Sequence, residues 1–175
     1  YASWNTRKLF SCGRPVDTLE VIIDSEDPEN IAGEIMVRGE NVMEGYYKNE
    51  QATHEVIDKD GWLHTGDLGT MDKEQNIFIR GRSKNMILGP SGQNIYPEEI
   101  ESVLNNYKYV NESLVVGRDG KIVALIYPEA DLLAKENIPP ENFREIMEEV
   151  RKDANNKLPA FMNIQKIEIM KEDFE

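Results

Sequence analysis

The chain has 175 residues, with 20 Lys and Arg against 33 Asp and Glu, for a formal net charge of −13. A surface that acidic repels phosphate backbones and anionic headgroups, which argues against nucleic acid or membrane binding through bulk charge. Apolar residues at 39% suit a core for one ordinary domain or two small ones, and no apolar run approaches the ~20 residues a bilayer crossing requires.

The charge is uneven. Arg80, Arg82 and Lys84 form a basic island inside the longest acid-free segment, Gln75 to Pro97, and the chain is acidic on both sides of it. Cys12 is the single cysteine and has no internal disulfide partner, and Tyr1-Ala2-Ser3-Trp4-Asn5 carries no signal-peptide pattern, so a cytoplasmic location is expected. The glycosylation-like triplet Asn111-Glu112-Ser113 is then a coincidence of pattern.

Residues 1 to 80 read as strands and turns. Leu19 to Ile23 and Glu34 to Arg38 are short β-branched segments separated by a polar loop, and a weak helix is expected over Gln51 to Val56. Leu68 to Met71 and Ile77 to Ile79 suggest a hairpin turning at Asp72 to Asn76. After Arg82 helices and strands mix. Pro97 opens a helix with Ile100, Val103, Leu104 and Tyr107 on one face, and Val110 to Val116 and Lys121 to Tyr127 form a hairpin. Pro139-Pro140-Glu141 opens a second helix carrying Phe143, Ile146, Met147, Val150, Ala154 and Leu158, and Ile164 to Met170 reads as a last strand. This is an α+β layer pattern in two regions that meet near Gly81 to Lys84.

Familiar catalytic signatures are absent. His54, His64 and Cys12 cannot complete a tetrahedral zinc site without carboxylates, Gly89-Pro90-Ser91-Gly92-Gln93 lacks the last glycine of a nucleophile elbow, and there is no P-loop. What remains is polar residues on glycine-rich turns. In Trp62 to Gly69, glycines flank Asp67, whose two acceptor oxygens suit the hydroxyls of a ribose or stabilise its own turn. Arg80-Gly81-Arg82-Ser83-Lys84 suits phosphate or is a solvated strand end. Gly89 to Asn94 is an anion-binding loop or a tight hairpin.

Taken in order, five motifs remove that ambiguity: Gly33-Glu34-Ile35-Met36-Val37-Arg38-Gly39, Val42 to Tyr47, Gly61 to Gly69, Gly81 to Lys84, and Gly92 to Glu101. The set resembles the AMP-forming acyl-CoA synthetase superfamily, which includes acyl-CoA ligases, the adenylation domains of peptide synthetases and firefly luciferase. The resemblance covers essentially the whole chain. It implies that residues 1–82 are the C-terminal β-rich part of the large adenylate-forming domain and that 83–175 are the small mobile C-terminal domain.

The resemblance also implies roles. Asp67, on a turn shaped by Thr65 and Gly66, holds the ribose hydroxyls, and Arg82 contacts the nucleotide. Lys84 is the hinge, and Ser91, Gly92 and Gln93 form the loop that lines the pantetheine tunnel. The implied activity is ATP- and Mg2+-dependent activation of an acid as acyl-AMP and its transfer to CoA. Met86 to Pro97 looks like the long-chain fatty acid branch, with other acyl or aryl acids as the alternative.

The family's phosphate loop and magnesium-holding Thr-Glu motif do not occur here, and its catalytic lysine is expected beyond Glu175. The expectation is therefore a C-terminal fragment, inactive alone, with no metal site and no transmembrane segment. Any peripheral membrane contact falls to the missing part. The rivals are a non-catalytic nucleotide- or CoA-binding regulatory module, and an interaction domain whose basic island docks an acidic partner. The regulatory reading requires residues 1 to 80 to close a core of their own.

Overall fold

A computed structural model describes residues 8–172 and 174; residues 1–7, Asp173 and Glu175 lie outside the described residues. The chain divides into two compact units, Tyr1–Lys84 and Asn85–Glu175.

The first unit holds β1 (Leu19–Asp24), β2 (Gly33–Gly39), α1 (Glu50–Val56), β3 (Leu63–Met71) and β4 (Ile77–Arg82). The four strands form one antiparallel sheet in the order β1-β2-β3-β4. Period-two alternation sets the β1–β2 register. Leu19, Val21 and Ile23 stand opposite Gly39, Val37 and Ile35, while on the other face Glu20 pairs with Arg38 at 2.9 Å. Asp72 closes the β3–β4 turn by accepting the Asn76 N–H at 2.8 Å, and its carboxylate also meets Lys8. The α1 helix forms because Asn49 caps it, accepting the Ala52 N–H at 3.0 Å. Among the described residues of this unit the buried hydrophobic side chains are few: Ile23, Ile35 and Met36, with Ile22, Ile31 and Ile79 exposed.

The second unit holds β5 (Ile87–Leu88), β6 (Asn94–Ile95), α2 (Pro97–Leu104), β7 (Val110–Arg118), β8 (Lys121–Pro128), α3 (Ala130–Lys135), α4 (Pro140–Lys157), a 3-10 turn (Ala160–Met162) and β9 (Lys166–Ile169). Strands β7, β8 and β9 make a sheet in that order. The β7–β8 pair is an antiparallel hairpin through Asp119 and Gly120, whose φ values of 51° and 70° suit a primed turn that matches strand twist. The β8–β9 pair is parallel, so a crossover must join them, and α3 and α4 supply it. The clustered core lies wholly in this unit. Phe143, Met147, Val150 and Ala154 on one face of α4, and Ile100 and Leu104 of α2, meet Val115, Ile122, Ala124 and Ile126 of the sheet.

Polar ties fix the edges of that core. Asn155 accepts the Ile164 N–H at 2.7 Å and donates back to the Ile164 carbonyl at 3.0 Å, which aims the chain into β9. Glu101 accepts the Val115 N–H at 2.7 Å, joining α2 to β7, and burial pushes its carboxyl above the usual range despite that bond.

Most expected elements are present within a few residues. The helix expected from Pro97 ends at Leu104, so Tyr107 lies beyond it, still packed against the core and donating to Asp153 of α4 at 2.6 Å. The short α3 was not expected, because six residues present too few apolar positions to show a period.

Candidate functional site

The site is built on a fault in the β2–β3 ladder. Glu34 opposes Leu68 and Met36 opposes His64, so the single residue Ile35 faces three, Thr65, Gly66 and Asp67. The surplus leaves the ladder as an enlarged bulge, a device that re-aims side chains at a strand. Trp62 to Gly69, expected as a turn, is thus mostly the bulged β3 strand rather than a connection between strands. Gly66 has φ +72°, a left-handed conformation open to glycine at no cost.

The expelled backbone is pinned on all sides. The Thr65 hydroxyl donates to the Ile35 carbonyl at 2.7 Å, and its oxygen accepts the Asp67 N–H at 3.1 Å. The Gly66 N–H donates to Glu34 Oε1 at 3.0 Å, and the Gly66 carbonyl accepts the Ser83 N–H at 2.9 Å. These four bonds satisfy backbone groups that the bulge would otherwise leave unpaired.

Strand β4 carries its own irregularity beside this one. Asp67 opposes Arg82 and Leu68 opposes Gly81, but Gly69 opposes Ile79, leaving Arg80 as the extra residue. The register sets Arg82 Nε 3.1 Å from Asp67 Oδ1, and Arg82 also donates to the Thr65 carbonyl at 3.2 Å. Thr65, Gly66, Asp67 and Arg82 therefore converge within the first unit. Lys84 follows two residues later, exposed in a turn, and is the last residue of that unit.

Sequence reasoning missed the supports beneath the bulge. Glu34 Oε2 lies 2.8 Å from His64 Nδ1, and His64 Nε2 lies 3.9 Å from Asp58 Oδ2. The Trp62 N–H, then the Asp60 N–H, hold the Asp58 carboxyl below the usual range even though burial opposes this. Glu34 was visible in the first motif, but its contact with Gly66 depends on a three-against-one register that no local pattern announces.

Ser91, Gly92 and Gln93 sit at the exposed tip of the β5–β6 hairpin in the second unit. Gly92 donates to the Gly89 carbonyl at 2.9 Å and has φ +82°, and a Cβ there would meet nothing within 4 Å. Beside this tip is a cavity of about 400 Å³ bordered by Leu88, Ser91, Gln93, Lys121 and Phe161. Leu88 and Phe161 are exposed apolar side chains at its rim. Among the described residues no group of three or more His, Cys, Asp or Glu could hold a metal ion. Nor is any helix among the described residues long and apolar enough to cross a membrane.

Comparison with known proteins places this architecture. Residues 84–174 match the family described as AMP-binding enzyme C-terminal domain. The chain belongs to that family, and with it to the adenylate-forming superfamily. It is 42% identical over 120 residues to a 2-succinylbenzoate–CoA ligase of Bacillus cytotoxicus, a match covering 67% of this chain and 24% of the relative. It is 38% identical over 120 residues to the long-chain-fatty-acid–CoA ligase ACSBG2 of Gallus gallus, covering 68% of this chain and 16% of the relative. Among solved structures, the o-succinylbenzoate CoA synthetase MenE of Bacillus subtilis in complex with the acyl-adenylate intermediate OSB-AMP has a TM-score of 0.78 and 30% identity, covering 94% of this chain and 33% of that one. The same enzyme has been solved with ATP and magnesium ion, with a TM-score of 0.73 at 30% identity, covering 93% of this chain and 32% of that one. The chain thus spans about a quarter of the length of the 2-succinylbenzoate–CoA ligases it matches.

Proposed function

We propose that the protein carrying this chain is an ATP-dependent, AMP-forming acid–CoA ligase. The chain supplies part of its nucleotide site, its hinge and its CoA-facing loop. The observation that carries this reading is the bulge that presents Asp67 opposite Arg82 on a pinned backbone.

In the first half-reaction the acid's carboxylate attacks the α-phosphate of ATP and pyrophosphate leaves. In the second the CoA thiol attacks the acyl carbon of the mixed anhydride and AMP leaves. Asp67 accepts the ribose hydroxyls through its two oxygens and so fixes the nucleoside. Arg82 gives up Asp67 to meet the nucleotide's negative charge. With Arg82 59% and Asp67 34% exposed, their pair contributes only about 0–1 kcal/mol, so a ligand breaks it at little cost.

Lys84 is read as the hinge between the end of the large domain and the small C-terminal domain, a reading supported by the division of the chain after that residue. Rotation there would let the Ser91-Gly92-Gln93 tip serve the thioester step. Gly92 suits this, because its backbone faces open space and a thiol arm can approach it closely. Magnesium accompanies the ATP phosphates and is held by parts of the protein outside this chain. A cytoplasmic location belongs to the same reading.

The acid has two readings, each with an observation behind it. An aryl acid such as 2-succinylbenzoate is favoured by the higher identity to its ligases. A long-chain fatty acid is favoured by Met86 to Pro97 and by the chicken relative. The regulatory-module alternative is weakened by the thin apolar core of the first unit, where Ile23, Ile35 and Met36 are the buried hydrophobic side chains described.

The test is ATP–pyrophosphate exchange by the full-length protein, supplied in turn with 2-succinylbenzoate and a long-chain fatty acid. Acid-dependent exchange is expected, and the acid that drives it names the substrate class. Nucleotide binding without exchange for any acid overturns the ligase reading in favour of a regulatory module.

A further inference from the structure

The bulge that carries Asp67 has lost its ladder partners on β2, and a side chain of β2 stands in at its centre. Glu34 lies at the edge of the fault on β2, in register with Leu68 just past the surplus residues. One of its carboxylate oxygens accepts the Gly66 N–H at 3.0 Å and the other meets His64 Nδ1 at 2.8 Å. It therefore spans the fault, bonded to the residue before the bulge and to the residue at its centre. We infer that Glu34 is a positioning residue for nucleotide binding: a carboxylate splint that fixes the Thr65-Gly66-Asp67 bulge so that Asp67 points at the ribose. The inference rests on the proposed role of Asp67.

The wiring extends beyond Glu34. His64 is flanked on its other side by Asp58, whose carboxylate accepts the Asp60 and Trp62 N–H groups at 2.9 Å and so belongs to a closed turn of its own. Arg38 borders the same turn, donating to the Asp60 carbonyl at 3.3 Å and stacking 4.4 Å from the Trp62 ring. The imidazole thus lies between two carboxylates from two different segments, bonded to Glu34 and 3.9 Å from Asp58. Glu34 inherits that rigidity and transmits it to Gly66. Its side chain is 26% exposed, enough burial for the two bonds to fix its rotamer.

Geometry distinguishes a splint from a mere charge. Glutamine keeps an oxygen for the Gly66 N–H and turns an amide N–H toward Nδ1, which accepts in one neutral tautomer of histidine. Aspartate keeps the charge but is one methylene shorter and cannot reach both partners. Charge alone therefore predicts that Glu34→Asp works and Glu34→Gln fails, whereas a splint predicts the reverse.

The experiment measures ATP KM and kcat of pyrophosphate exchange, together with thermal unfolding, for the full-length protein and its E34Q, E34D, E34A and D67A variants. E34A and E34D are expected to raise ATP KM about tenfold with kcat at saturating ATP little changed, and E34Q to stay within about twofold of the parent. D67A separates the two readings. If D67A raises ATP KM and E34D does not, the splint is overturned while the role of Asp67 stands. If D67A leaves ATP kinetics unchanged, the role of Asp67 falls and the splint falls with it. E34Q as impaired as E34A, or E34A and E34D losing thermal stability and kcat without a change in ATP KM, also overturns the inference. E34D keeps the test usable should E34A fail to fold.

Discussion

Asp67 and Arg82 face each other across the β3–β4 ladder with 3.1 Å between carboxylate and guanidinium, two adjacent strands each carrying a surplus residue or more beside the pair. The surplus residue Arg80 brings them together, since a regular β3–β4 ladder would have placed Asp67 opposite Gly81. Replacing Asp67 by alanine in the full-length protein removes a charged acceptor for the ribose, a loss of about 1.5–3 kcal/mol. The expected result is a rise in ATP KM of about ten- to a hundredfold. Thermal stability should stay nearly constant, because the exposed pair contributes so little to folding. Steady-state pyrophosphate exchange and a thermal scan read both, and unchanged ATP kinetics would remove Asp67 from the site.

Lys84 permits a sharper separation. It lies in an exposed turn where one compact unit ends and the next begins. Proline there fixes φ near −65° and so blocks a backbone rotation at this point, while the Asp67 and Arg82 side chains stay in place. Lys84→Pro should spare acyl-AMP formation and abolish transfer to CoA. Quenched-flow measurement of the two half-reactions checks this, and equal loss of both counts against a hinge at Lys84.

The strands of the first unit were legible because short β-branched runs such as Leu19 to Ile23 are set off by polar loops. The helix from Pro140 was legible because Phe143, Met147, Val150 and Ala154 repeat over enough turns to reveal a face. Asp67 and Arg82 could be singled out for the same reason, as each sits in a local motif. The mutual register of the strands could not. A three-against-one bulge is decided by which hydrogen bonds the backbone finds elsewhere, here at Glu34, Thr65 and Ser83, residues up to 49 positions apart in the chain. Glu34 and His64 were accordingly in view as letters and invisible as a pair.

Gly92 tests the CoA-facing tip. Its φ of +82° makes alanine strained, at a cost of roughly 1–2 kcal/mol, but no neighbouring atom stands in the way of the added methyl group. A purely structural role therefore predicts a modest drop in the melting temperature of the second unit and equal, small effects on both half-reactions. Close approach of the pantetheine arm predicts that Gly92→Ala slows thioester formation at least tenfold more than adenylation. Parallel changes in the two rates would show that the tip does not meet the thiol.

Asp72 is expected to contribute to the acid stability of the first unit. Burial pushes its carboxyl up, but the bonds from Lys8 and from the Asn76 side chain and N–H outweigh burial and hold it well below the usual carboxylate range. The sign follows from linkage: a carboxyl depressed in the folded state stabilises the fold above its unfolded value of about 4 and loses that contribution as the pH falls toward the folded value. Asp72→Asn keeps the shape, loses the charge that pairs with Lys8, and no longer titrates. The variant should be less stable than the parent at pH 7, and its stability should fall less steeply between about pH 4 and pH 2. Denaturant titration followed by Trp62, which lies in the same unit, measures the difference at each pH. Parallel curves for the two proteins across that range would show that the β3–β4 turn is held by its backbone bonds and not by the ionised Asp72.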